Sequence, residues 1–188
     1  MENMRVYHRS TQPKSIANGL QMNDSECITS TLKLEDCLAR FTSTEILSDT
    51  HTCDSCGTVV HRKKQLTIDT LPNVLVIHLK RFDALKSRKV SDTVEFPADR
   101  PLDLGPFLSK WRSADNTLST PTPHLYELSA VVNHHGEMDK GHYTSFVKDG
   151  GYWFHCDDHS IAHVDIDTVK HSEGYILFYV REVMTKIN

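Results

Sequence analysis

GHYTSFVKDGGYWFHCDD, Gly141 to Asp158, is the stretch whose reading decides the fold. Two runs rich in Tyr, Thr, Phe, Val and Trp flank a Gly-containing turn, the pattern of two antiparallel strands joined by a tight connection. A two-residue loop at Asp149-Gly150 and a four-residue loop from Lys148 to Gly151 predict the same register. Phe146 then faces Trp153, Thr144 faces His155 and His142 faces Asp157. Directly opposed residues share one face, with Cβ atoms about 4.5–5.5 Å apart. A Gly150-Gly151 turn would instead set His142 opposite His159 and separate the aromatic pair, so the first register is the expected one. A carboxylate beside an imidazole fixes its tautomer and favours the imidazolium. The ring could then take a proton from a thiol or hydroxyl. A cross-strand polar pair on a solvated face explains the same residues equally simply.

The segments around the hairpin extend the pattern. LYELSAVVNHHG alternates before a Gly turn, and YILFYVRE is a last apolar strand. LPNVLVIHLKRF is nearly all apolar from Val74 to Leu79, which predicts a central strand covered on both faces. HVDIDTVKHSEG suits a short helix ended by Gly174. TLKLEDCLARF places Leu34, Cys37, Leu38 and Phe41 at helical spacing, with Thr31 as N-cap. VEFPADRPLDLGPF, broken by three prolines, reads as an edge strand and loop. One helix followed mostly by strands predicts an α+β domain on an antiparallel sheet. Polar residues 1–30 predict a poorly ordered arm, 31–183 the folded domain, 109–124 a flexible insertion and 184–188 a tail.

The 188 residues suffice for one domain with a real core, and the net charge is -4. That balance argues against nucleic-acid or anionic-membrane binding through bulk charge. No apolar run reaches the length of a membrane span and the N-terminus has no signal-peptide core, so an intracellular protein is expected. Five cysteines without a secretory signal point to thiol or metal chemistry rather than a disulfide framework. Cys53 and Cys56 form a C-x-x-C knuckle followed by Gly57, a spacing that puts two thiolates on one tetrahedral zinc. Four ligands close such a site. His51 and His61 are near in sequence.

Several long motifs, in one order, resemble the ubiquitin-specific proteases. VVNHHGEMDKGHYTSFVKDGGYWFHCDD with SEGYILFY resembles that family's histidine box, and LPNVLVIHLKRF its strand motif. LKLEDCLARFTSTEIL, CDSC and KKQLTIDTLP match the approach to that strand, so the resemblance runs from about Leu32 to Arg181. Within the family the look is closest to the deubiquitinases of SAGA-type coactivator complexes.

The resemblance implies a papain-like cysteine protease fold, present in part. It implies the antiparallel "palm" and part of the zinc-ribbon "fingers" (53–68), without the N-terminal helical "thumb". It implies thiol-dependent hydrolysis of the bond after ubiquitin's last glycine, with ubiquitin and ubiquitinated proteins as partners, histones among them for a SAGA type. A multi-subunit complex in nucleus or cytoplasm and no cofactor for catalysis also follow from it. His142 becomes the general base, Asp157 its orienting partner and Asp158 a second acid polarising the site. Gly141 would border the channel for ubiquitin's Gly-Gly tail, where a missing side chain suits a passing backbone. Tyr143, Glu137 and Asp139 would line that channel, though an ordinary solvated turn accounts for the two acids as well. Cys53 and Cys56 would hold structural zinc with a second C-x-x-C that the family carries upstream and this sequence lacks.

The family's nucleophile sits in a box close to Gly-Leu-x-Asn-Leu-Gly-Asn-Thr-Cys that opens a helix. GLQMNDSEC, ending at Cys27, keeps the spacing of Gly19, Leu20 and Cys27 but not the Asn, Gly and Thr, and no apolar helical run follows. Cys156 points away from His142, and Cys37 reads as core. The expectation is therefore the histidine–aspartate half of a catalytic domain, inactive by itself, with one sheet face left apolar and open. A non-catalytic ubiquitin-binding or regulatory module and a zinc-ribbon adaptor are the alternatives.

Overall fold

The computed structural model describes residues 3–6, 32–83, 88–109, 124–137 and 139–182. Most of the expected arm, Cys27 within it, the expected N-cap Thr31, most of the 109–124 insertion and the 184–188 tail lie outside them. In chain order the elements are β1 (Asn3–Val6), β2 (Leu32–Lys33), α1 (Leu34–Phe41), β3 (Glu45–Thr52), β4 (Val59–Lys64), β5 (Val74–Leu79), β6 (Phe82–Asp83), β7 (Arg88–Lys89), β8 (Val94–Glu95) and β9 (Leu102–Asp103). A 3-10 turn (Gly105–Phe107), β10 (Leu125–Gly136), β11 (Gly141–Asp149), β12 (Tyr152–Asp157), β13 (Ser160–Val164), α2 (Ile166–Lys170) and β14 (Gly174–Arg181) complete it.

The main sheet runs β1-β5-β14-β10-β11-β12-β13, with β9 paired to β10. Every pairing in it is antiparallel except β1 on β5. This is the α+β antiparallel architecture that the element order predicts. β1 falls inside the stretch whose composition predicts an arm. It joins the sheet through backbone pairing, which needs no apolar period, so hydropathy gives no sign of it.

One face of the sheet carries the core. Leu75, Ile77 and Leu79 of β5, Leu177 and Tyr179 of β14, Val131, Phe146 and Trp153 pack with Leu34, Cys37 and Leu38 of α1. Leu102 of β9, Phe107 of the 3-10 turn, and Phe96 and Leu104 beside them close it. The buried tyrosines keep their hydroxyls satisfied: Tyr179 donates to the Pro97 carbonyl at 2.9 Å and Tyr126 to the Pro72 carbonyl at 2.6 Å. On the opposite face Val76, Ile176 and Phe178 are half-buried, while Val74, Val147 and Val180 are exposed. β5 is therefore covered on one face and not on both. Its unbroken apolar run reflects a second face that is only partly wet.

Gly174 opens β14 instead of capping α2, whose C-cap is His171. A Cβ there would meet Leu177 Cδ2 at 2.9 Å and a Phe96 ring carbon at 3.1 Å, so close packing explains this glycine. Separate from the main sheet, β3 and β4 form an exposed hairpin whose tip carries Cys53 and Cys56.

Candidate active site

The hairpin turn lies one position further along than the sequence predicts. Gly150 and Gly151 occupy it with φ of 55° and 86°. Asp149 pairs with Tyr152, Lys148 with Trp153 and Phe146 with His155. A type I′ turn needs positive φ at both central residues, and two glycines supply it without strain. With Asp149 in the turn, one central residue would carry a Cβ in that region. The correction keeps the faces, because the pairing moves by two residues. His142 and Asp157 become diagonal neighbours on one face instead of opposed ones, a separation that long side chains span.

They do span it. His142 Nε2 lies 2.5 Å from Asp157 Oδ1, with both side chains nearly half exposed. The hydrogen bond to Asp157, then the charges of Asp157 and Asp158, raise the His142 pKa above its ordinary value, against an opposing effect of burial. The same hydrogen bond holds Asp157 below the usual carboxylate range. Nε2–H therefore donates to the carboxylate and Nδ1 is left for a reacting group. Asp158 sits in the β12–β13 turn at φ 46°, a conformation that Asp tolerates better than most residues. Ligand atoms of His142, Asp157 and Asp158 all lie within 4.8 Å of one another.

These directions fix a pH window. The raised His142 pKa stabilises the fold fully below the unfolded value of about 6.5, and that contribution is lost as pH rises through the folded value. The lowered Asp157 pKa contributes above about 3.9 and is lost as pH falls through the folded value. The pair is thus complete between them. An NMR titration of the His142 ring protons is expected to inflect above about 6.5, and in Asp157→Asn to fall back toward it. An inflection that Asp157→Asn leaves in place would show that the carboxylate does not hold the ring.

Two histidines beside the pair went unnoticed in the sequence. His135 stands directly opposite His142, and its Nε2 lies 3.2 Å from Thr144 Oγ1. His134 faces the other way, buried, with its ring 4.7 Å from that of Tyr143. Burial, then the charges of Lys89 and His135, lower the His134 pKa. Alternation along VVNHHG, combined with the reading of His142, is the signal that separates their faces. Tyr143 is exposed and belongs to the face opposite His142, within an aromatic group that includes His134, Tyr175 and Phe82.

Gly141 has a reason within the chain. A Cβ built on it would sit 2.0 Å from His134 Nε2, 2.6 Å from His134 Cε1 and 2.7 Å from the His135 carbonyl. Glu137 and Asp139 are exposed in the connection before it, where the Glu137 N–H donates to the Lys140 carbonyl at 2.8 Å.

The four described thiols are not brought against this pair. Cys37 is buried in α1, and burial raises its pKa first of all. Cys156 pairs with Ser145 and Ile161 on the face opposite His142, as the alternation predicts. At the β3–β4 tip, Cys53 N–H donates to the Thr58 carbonyl and Gly57 N–H to the Cys53 carbonyl, both at 2.8 Å. Hydrogen bonding with Thr58 is the chief cause that lowers the Cys56 pKa. Two thiols on a tight turn suit half of a zinc knuckle. Among the described residues no further pair of ligands completes it: His61 Nδ1 meets the Leu47 carbonyl at 3.3 Å, and His51 pairs with Val60. By themselves these residues do not close a zinc site.

A family model described as ubiquitin carboxyl-terminal hydrolase matches residues 11–179. Human ubiquitin carboxyl-terminal hydrolase 27 is 39% identical over 184 residues, covering 92% of this chain and 42% of the relative. Human ubiquitin carboxyl-terminal hydrolase 22 is 39% identical over 180 residues, covering 89% and 34%. Among solved structures, the SAGA DUB module of Ubp8, Sgf11, Sus1 and Sgf73 bound to monoubiquitin has a chain with TM-score 0.68 and 34% identity. That match covers 83% of this chain and 34% of the other. The chain thus spans less than half the length of these relatives. Sequence along nearly its whole length and the course of its sheet lead to one conclusion: the chain that sets His142 against Asp157 belongs to the ubiquitin carboxyl-terminal hydrolase family.

Proposed function

We propose that this chain supplies the general base and its orienting carboxylate to a cysteine-type deubiquitinase. The observation that carries the reading is the half-exposed His142–Asp157 hydrogen bond, with no bond to Nδ1 among the described residues. A thiol beside Nδ1 would lose its proton to the ring and attack the carbonyl of ubiquitin's last glycine. The imidazolium would protonate the leaving amine, and water activated by the same ring would release the acyl group. Asp157 keeps the ring in one tautomer and Asp158 adds negative charge near it. Glu137 and Asp139 would meet the cationic part of ubiquitin's tail, and Gly141 and Tyr143 would border its path. The thiol is not among the described residues near His142, and Cys27 lies outside them.

Ubiquitin and ubiquitinated proteins are the partners this assigns, within a multi-subunit assembly like that of the SAGA neighbours, in nucleus or cytoplasm. No helix among the described residues is long and apolar enough to cross a membrane. Cys53 and Cys56 would contribute half of a structural zinc ribbon that catalysis does not use.

A chimera in which this chain replaces the matching part of human ubiquitin carboxyl-terminal hydrolase 27 tests the reading. It is expected to cleave a ubiquitin C-terminal fluorogenic substrate, and His142→Ala is expected to remove that turnover. The chain alone is expected to give none. A chimera that folds and binds ubiquitin without cleaving would sink the catalytic reading and favour a binding module. Turnover by the chain alone that Cys27→Ala abolishes would place the nucleophile at Cys27.

A further inference from the structure

β13 ends the sheet, and among the described residues no strand pairs with its outer side. An open edge invites another strand, and proteins usually blunt it with Lys, Pro or a bulge. Ser-Ile-Ala-His-Val contains no Lys or Pro, its ladder to β12 runs without a shift, and Ile161 is 70% exposed.

The register tells which backbone groups are open. Asp157 pairs with Ser160 across the two-residue turn Asp158-His159, so this closing pair bonds to itself. Alternation then turns Ala162 and Val164 toward β12 and leaves the N–H and C=O of Ile161 and His163 facing outward. Acids stand at both ends. Asp157 is held by His142, and Asp167 lies 3.7 Å from Lys170. Asp158 and Asp165 have no ion pair among the described residues, and Asp165 makes no side-chain capping bond to α2.

We propose that β13 is the docking edge for an extended, basic segment of the protein from which ubiquitin is removed. The segment adds as a strand. Its backbone bonds to Ile161 and His163, an apolar side chain lies beside Ile161, and Lys or Arg residues meet Asp158 and Asp165. β13 follows the Asp158-His159 turn that ends β12 at Asp157, so a strand laid on its outer side passes the same end of the sheet about two strand spacings, roughly 10 Å, from Asp157. That keeps the acceptor lysine's own chain within roughly 10–15 Å of the leaving amine, near enough for residues flanking the acceptor lysine to lie on the edge. The choice of occupant rests on the deubiquitinase reading above. The docking edge itself does not.

Amide hydrogen exchange on the isotope-labelled full chain tests this with a short peptide alternating Lys with Val. The amides of Ile161 and His163 should exchange fast in the free chain and slow at least about tenfold with peptide, while Ala162 and Val164 stay as they were. Ile161→Pro should abolish the slowing, since it removes an outward N–H that the β12 ladder does not use. Asp165→Asn, outside the strand, should weaken binding without touching any ladder. A peptide with Glu in place of Lys should leave both amides fast. No slowing with the Lys peptide, or equal slowing with the Glu peptide, overturns the proposal. Slowing without peptide that grows with chain concentration would show that a second copy takes the edge, and would overturn it too. The readout involves no hydrolysis, so failure here and failure of the catalytic reading are separate results.

Discussion

Gly141→Ala is expected to cost about 3 kcal/mol of stability and to disturb the His142–Asp157 pair, although alanine is the smallest possible addition. Its Cβ would meet three atoms at 2.7 Å or closer, two on the His134 ring and one the His135 carbonyl. The ring could rotate away, but it is buried between Tyr143, Tyr175 and Phe82. The carbonyl belongs to the strand that pairs with β11 and cannot move alone. Relief must come from a shift at the start of β11, one residue from His142. Urea denaturation reads the stability, and the His142 titration reads the site: its inflection should fall toward the ordinary value. His134→Ala in the same chain removes two of the three contacts and should recover part of the loss. Gly150→Ala makes the control, because nothing lies within 4 Å of its Cβ and only its positive φ resists, costing about 1 kcal/mol. A Gly141→Ala variant no less stable than the Gly150 one would show that His134 does not clamp the strand.

The parts of this chain that could be read in advance are those governed by alternation. β10, β11 and β12 alternate because one face is core and the other is wetter, and the parity that puts His142 and Asp157 on one face survives any pairing shift of two residues. Register itself depended on the turn. Asp149-Gly150 is a strong hairpin signal, yet Gly150-Gly151 supplies the two positive φ values that the turn adopts. β5 misled for the opposite reason: its partly covered second face keeps apolar residues where alternation would place polar ones. His134 was hidden because its importance lies in a contact with the backbone of Gly141. Such contacts follow from the crossing of neighbouring strands and leave no period in the sequence. β1 was hidden because an edge strand of four residues is held by main-chain bonds. The family motifs named the pair's roles. The structure adds why Gly141 carries no side chain and where the sheet remains open.

Arg81→Ala is expected to be the most destabilising single change outside the apolar core, at about 4 kcal/mol. Arg81 is the penultimate residue of the LPNVLVIHLKRF motif and is 4% exposed. Its Nε donates to the Gly174 carbonyl at 2.8 Å, and its Nη1 to the carbonyls of Asp92 at 2.7 Å and Val90 at 3.2 Å. Burial lowers its pKa, countered by the charges of Glu173 and Asp92, and a guanidinium stays protonated throughout the ordinary pH range. Truncation to alanine leaves a cavity and strips three carbonyls of their donor, whereas the planar fork reaches β14 and the β7–β8 connection at once. Arg81→Lys should restore little, because one ammonium cannot span carbonyls on two sides. The loss should reach the active site through a short path. The freed connection follows directly on β7, whose Lys89 Nζ donates to the His134 carbonyl at 2.5 Å, and His134 supports Gly141. In Arg81→Ala the His142 ring should therefore titrate closer to an ordinary histidine even below the unfolding midpoint in urea. A variant that unfolds earlier but keeps the raised His142 inflection would mean that Arg81 anchors the fold without reaching the pair. Arg81→Lys as stable as the parent would mean that a single donor satisfies this corner.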